Sequence, residues 1–138
     1  MAEPGEIDEA LKVHILDELY PHSSRVAHAV EVPAGARLLF TNGQVGTRAD
    51  GTTPEAVTDQ LEVVFERLNA VLHAANMTLE NIVRFDVFFT NQADVKSFVE
   101  VRDRIMGDHK PAATLLIVSA LARPELKIEV EAVAAKVD

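Results

Sequence analysis

Residues Pro111–Ala134 (PAATLLIVSALARPELKIEVEAVA) hold two β-runs back to back, with two carboxylates, Glu129 and Glu131, planted in the second. The runs are Ala113–Leu121 and Leu126–Lys136, joined by the turn Ala122-Arg123-Pro124-Glu125. Alternation puts Ile128, Val130 and Ala132 on one side of the second run, and Lys127, Glu129 and Glu131 on the other. Such a strand buries one face and leaves a chemically mixed one. Upstream, Thr41-Asn42-Gly43-Gln44-Val45-Gly46 breaks another β-run with a glycine flanked by two amides. A glycine there serves either as a bulge or as a place where another group comes close.

Around these segments the patterns alternate between strand and helix. Residues 1–22 are an acidic lead-in in which Ile7, Leu11, Ile15 and Leu19 recur every four residues, predicting a short amphipathic helix stopped by Pro21. Arg25–Val32 alternates as a strand with Val26, His28, Val30 and Val32 on one face. Pro33-Ala34-Gly35 turns it toward Arg37–Val45, so the pair reads as a hairpin. Arg48–Thr53 is a loop. Thr53 then caps a helix with Pro54 at its first position and an apolar stripe of Val57, Leu61, Val64, Leu68 and Leu72, ending at Asn76. Ile82–Thr90 is a strand, Ala93–Met106 a second helix ended by Gly107. Residues 23–138 thus read as a single α+β domain of order β-β-α-β-α-β-β, with both helices on one face of a mixed sheet. Val133, Leu38 and Phe40 fall on the other face and also need cover, which a second copy of the chain supplies most simply.

Composition narrows the chemistry. The 138 residues include no cysteine, which excludes disulfides, thiolate catalysis and cysteine-ligated metal centres. A net charge of −9 without a basic stripe, and without tryptophan, argues against nucleic acid as partner. No apolar run is long enough to span a bilayer and no basic leader precedes one, so a cytoplasmic protein that does not engage membranes is expected. The five histidines show no spacing typical of metal ligands, and no metal site is expected. Ser23-Ser24 near His28 lacks the glycine frame of a nucleophile elbow and reads as a chain-entry loop.

Asn42-Gly43-Gln44 resembles the Ser-Gly-Gln of the RidA (YjgF-type) family, and Lys127–Ala134 resembles that family's closing Ile-Glu-Ile-Glu-Ala strand. The likeness runs from about Arg25 to Ala135. It implies a chorismate-mutase-like α+β fold and a homotrimer with a small-molecule cleft between subunits. In the imine-hydrolysing members an arginine grips the substrate carboxylate and a glutamate on the last strand orders water. A serine-glycine pair and a tyrosine line the pocket. Carried onto this sequence, the glutamate is Glu129, the glycine Gly43 and the serine position Asn42. The tyrosine position falls within a residue of His28, and an asparagine of the second helix aligns with Val99. The arginine position is Ala113, followed by Thr114. Arg25 or Arg102 would replace it only if the fold brought one into the cleft.

The resemblance implies hydrolysis of an enamine or imine to a carbonyl compound and ammonia, with no cofactor. Glu129 and His28 are the candidate catalytic residues; Asn42, Gly43, Ala113 and Thr114 are the candidate ligand-binding ones. Without the forked arginine contact, a small 2-imino acid is not the expected substrate. The alternative is a non-enzymatic trimer that binds a metabolite or a protein. Glu129 also fits a solvated sheet edge or an intersubunit ion pair, and His28 a core or interface residue. The ribonuclease activity associated with the family is disfavoured by the charge.

Overall fold

The computed structural model describes residues 11–19 and 26–138. Its elements are β1 (Lys12–His14), β2 (Ala29–Glu31), β3 (Arg37–Phe40), β4 (Gln44–Val45), α1 (Val57–Ala74), β5 (Ile82–Phe89), α2 (Val95–Met106), β6 (Ala112–Ile117) and β7 (Ile128–Lys136). The main sheet runs β3-β7-β5-β6, with β4 also on β7. Only β5 and β6 are parallel, and α2 makes the crossover that a parallel pair requires. From Ala29 onward the order matches the expected β-β-α-β-α-β-β once β3 and β4 count as one interrupted run.

Both helices lie on one face of the sheet. Leu61, Val64, Phe65, Leu68 and Leu72 of α1 join Phe98, Val101 and Met106 of α2 over Phe85, Val87, Phe89, Ile128, Val130 and Ala132. Phe98 sits at the junction, its ring centroid 6.0 Å from Phe85 and 5.7 Å from Phe89, both edge-to-face. Asn76 takes the left-handed φ of 58° after α1, as its position predicts, and Gly107 does the same after α2.

Three expectations need correction. The first two long runs do not form a hairpin: β2 pairs with β1, while β3 and β4 pair with β7. The nine-residue β7 has backbone groups on both edges to satisfy, and β3 and β4 occupy the edge that β5 leaves open. Next, Lys12–His14 is a strand rather than part of a helix. An isolated short helix is marginal in water. Pairing with β2 supplies backbone partners, together with a 3.0 Å contact between His14 Nε2 and Glu31 Oε1. Ile7 and Pro21 lie outside the described residues. Finally, α1 starts at Val57 with Ala56 as its cap. The segment from Thr53 is held otherwise: Thr53 Oγ meets Thr47 Oγ at 2.8 Å, and the Pro54 carbonyl accepts from Gln60 Nε2 at 2.9 Å.

Gln60 is fully buried. Its amide nitrogen also donates to the Glu125 carbonyl at 2.9 Å, and its oxygen accepts from Lys127 N at 2.9 Å. Gly46 packs on the same residue so closely that a Cβ would lie 2.7 Å from the Gln60 Cα. Gln60→Leu takes their partner from three backbone groups, and we expect a loss of about 1–3 kcal/mol, read as a lower urea midpoint.

At the far end, Arg102 is buried and donates to the His109 carbonyl at 2.5 Å and to Asp103 at 3.0 Å. The His109 ring meets the Ile82 carbonyl at 2.7 Å. Burial holds this imidazole below the ordinary 6.5, with Arg102 adding to that effect and the Ile82 carbonyl opposing it. The folded imidazole therefore stays neutral at pH values where the unfolded one takes up a proton. Stability is complete above pH 6.5 and falls as pH drops through that value. His109→Gln should flatten this dependence below pH 6.5 in denaturation measured at stepped pH.

Candidate functional site on the open face of the sheet

The sheet face away from the helices is where the strand alternation places the polar groups. Phe88 of β5 lies beside Glu129 of β7 and Leu116 of β6; Asp86 lies beside Glu131 and Thr114; Arg84 lies beside Val133. Phe40 of β3 extends this face next to Val133 and is 70% exposed.

The break between β3 and β4 is built by side chains standing in for backbone. Thr41 N donates to the Ala132 carbonyl at 2.9 Å, while its hydroxyl accepts from Ala132 N at 3.0 Å and donates to the Asn42 carbonyl at 2.9 Å. The buried Gln44 side chain donates to that same carbonyl at 3.1 Å and accepts from Arg67 Nε at 2.9 Å. Arg67 in turn donates to the Thr47 carbonyl at 2.8 Å. Residues 41–47 are thereby fixed against β7. The Asn42 side chain is exposed.

Glu129 reaches across this fixed turn. A Cβ built on Gly43 would lie 1.9 Å from Glu129 Oε2 and 2.8 Å from its Cδ, so the carboxylate fills the space that any other residue at 43 would occupy. Gly43 does not have a positive φ; its lack of a side chain is what lets the carboxylate lie where it does. Glu129 is half-buried, and among the described residues no group makes a hydrogen bond or ion pair with its carboxylate. A carboxylate held in this way can accept a proton or orient a water molecule.

The other candidates are distributed differently. Ala113 packs against the core on the helix side of β6, opposite in face to Glu129. Thr114 is on the open face, where its hydroxyl accepts from Arg84 Nη2 at 2.9 Å. His28 is exposed in the segment leading into β2, its ring accepting from Leu16 N at 3.0 Å. Its neighbour Ala27 bonds the Pro111 carbonyl at 3.1 Å. Glu129 is level with Leu116, five residues further along β6, or about 16 Å at ~3.3 Å per residue. One chain does not bring His28 to Glu129. Arg102 is buried beneath α2, away from this face, and Val99 packs on the core; Arg25 lies outside the described residues. The arginine that does reach the open face is Arg84, bonded to Asp86 at 2.8 Å as well as to Thr114. Its signal was the alternation of Arg84 and Asp86 with Phe85 and Val87. Among the described residues no group of three or more carboxylates or histidines is placed to hold a metal ion.

A family model described as endoribonuclease L-PSP matches residues 18–136. The chain belongs to this YjgF-type L-PSP family. Among the members, DfrA of Myxococcus xanthus is 36% identical over 112 residues, covering 78% of this chain and 82% of that protein. TdcF of Escherichia coli, provisionally named a reactive intermediate deaminase, is 28% identical over 103 residues, 72% of this chain and 79% of its own. The L-PSP fold is shared with the Rid-family protein YyfB from Yersinia pestis, a protein of unknown function, at a TM-score of 0.82 and 30% identity over 91% of this chain and 98% of that one. TdcF crystallised with bound serine superposes at 0.68 with 25% identity, covering 91% and 99%.

Gly43→Ala tests the packing of the site. The backbone accepts alanine and only the end of a flexible side chain stands in its way, so we expect a folded variant with a melting temperature within a few degrees of the parent. Its crystal structure should show the Glu129 carboxylate swung off the turn.

Proposed function

We propose that this L-PSP member hydrolyses an enamine or imine: water adds to the protonated C=N carbon, the C–N bond breaks, and a carbonyl compound and ammonia leave. The observation that carries this reading is the Glu129 carboxylate, held over Gly43 with no described partner and free to orient the attacking water. The name of TdcF supports the reaction class. No cofactor is called for, since a protonated imine carbon is already electrophilic. Asn42, Gly43 and Thr114 orient the ligand. His28 is the proton donor, contributed across the boundary between copies because its own chain holds it far from Glu129.

The assembly that such sharing requires is a homotrimer, built by covering the open face. Phe40 at 70% exposure, Leu38 at 53% and Leu116 at 48% form the apolar surface to be covered. Ala113 in the arginine position leaves no guanidinium on that side of β6, so the substrate is not a small 2-imino acid gripped there. The same alanine is what favours the second reading, a trimer that binds a metabolite or protein without turning it over.

Ammonia release from 2-aminoacrylate generated in situ should be slow. Glu129→Gln should reduce turnover of any imine that the parent accepts by about 100-fold or more; full activity in that variant removes Glu129 from the mechanism. Phe40→Glu should dissociate the assembly in sedimentation equilibrium while leaving the far-UV circular dichroism unchanged.

A further inference from the structure

The ribbon of β1 and β2 lies outside the main sheet and pairs over only three residues of each strand, Lys12–His14 with Ala29–Glu31. The contact of His14 Nε2 with Glu31 Oε1 at 3.0 Å ties the two strands together at their side chains. The chain entering β2 is then fixed from two sides. Ala27 N donates to the Pro111 carbonyl at 3.1 Å, at the foot of β6, and His28 N donates to the His14 carbonyl at 2.9 Å. The His28 ring is anchored as well. Its Nδ1 accepts from Leu16 N at 3.0 Å, so the short segment from His14 to Leu16 holds both the backbone and the side chain of His28.

That last bond decides the chemistry of the ring. A backbone amide nitrogen can only donate, so the ring nitrogen facing it carries a lone pair and no proton. A neutral imidazole has a single N–H, which must then be on Nε2. The other tautomer would set two N–H groups against each other across the 3.0 Å contact. One net hydrogen bond by itself favours the first tautomer over the second by roughly two- to tenfold. The group responsible belongs to the backbone, and the Leu16 side chain, 38% exposed, has no part in it. Shape matters only in that β1 brings this amide to the right place.

We propose that the strand β1 is a positioning element: the amide of Leu16 holds the His28 ring in one orientation and in the tautomer protonated on Nε2, making Nε2 the atom from which His28 donates. The catalytic meaning rests on the hydrolase reading, in which His28 serves a neighbouring copy, whereas the tautomer can be observed without turnover. The measurement is ring nitrogen spectroscopy on the full chain labelled with nitrogen-15, at about pH 8, above the ordinary histidine range. His28, assigned by its loss in His28→Gln, should show a proton on Nε2 and none on Nδ1. A scalar coupling should join Nδ1 to the Leu16 nitrogen. Leu16→Pro, which removes the N–H, should abolish that coupling and return the ring to a mixture of tautomers. Leu16→Ala, which keeps the N–H, should preserve both signatures. With any imine that the parent accepts, Leu16→Pro should also lower kcat roughly two- to tenfold while KM changes little. A proton on Nδ1 in the parent, or a tautomer unmoved in Leu16→Pro, overturns the assignment, as does an unchanged kcat in a variant whose tautomer has shifted. Should Leu16→Pro fail to fold, the coupling in the parent decides alone, and its absence overturns the proposal. A ring that responds to Leu16 in a protein that releases no ammonia from any imine would sink only the hydrolysis.

Discussion

Gln60 is an amide shut away from water, and each of its polar atoms is answered by backbone from a different part of the chain: the loop before α1, the turn before β7, and the first residue leading into β7. An uncompensated buried amide is costly, so these three bonds act together or not at all. They fix where α1 begins relative to where β7 enters the sheet. Because Gly46 rests on the Gln60 backbone, the same residue also sets the height of β4. The meeting of Gly43 with Glu129 follows from that placement, Gly43 lying three residues before Gly46 and Glu129 two after Lys127.

The open face is a product of strand alternation and of one missing side chain. On β7 every second residue is committed to the core, and the residues between are released for other uses. The turn at residues 41–47 then converts one released residue, Glu129, from a solvated carboxylate into one pressed against backbone. Ala113 belongs to the opposite face of β6. The polar groups of the open face are therefore arranged along the sheet, from the Gly43 turn to the Arg84–Thr114 pair, rather than gathered around a single arginine.

What could be read from the sequence was whatever depends on neighbours along the chain. The apolar stripe of α1, the left-handed stop at Asn76, the alternation of Phe85, Val87 and Phe89 and that of Ile128, Val130 and Ala132 are local patterns, and they hold. Gly43 and Glu129 were singled out separately by resemblance; nothing in either segment says that one fills the space left by the other. The pairing of Arg37–Phe40 with Val133–Lys136 joins residues almost a hundred positions apart, and a Pro-Ala-Gly turn pointed to the nearer partner instead. The late start of α1 depends on the Gln60 bonds to Pro54, and the strand at Lys12–His14 depends on β2 having an edge to offer. The contact of Arg84 with Thr114 across a parallel pair was equally invisible. Each miss is a case of tertiary partners outbidding local preference.

The two-residue repeat of β7 also constrains how a protein like this can change. Inserting or deleting one residue there would exchange its two sides, sending Glu129 inward among phenylalanines and turning Val130 out to the open face. Changes of length are thus tolerated at the turns, and the chemistry of the open face can change only by replacement at fixed addresses. On such a strand, change is a matter of spelling, never of spacing.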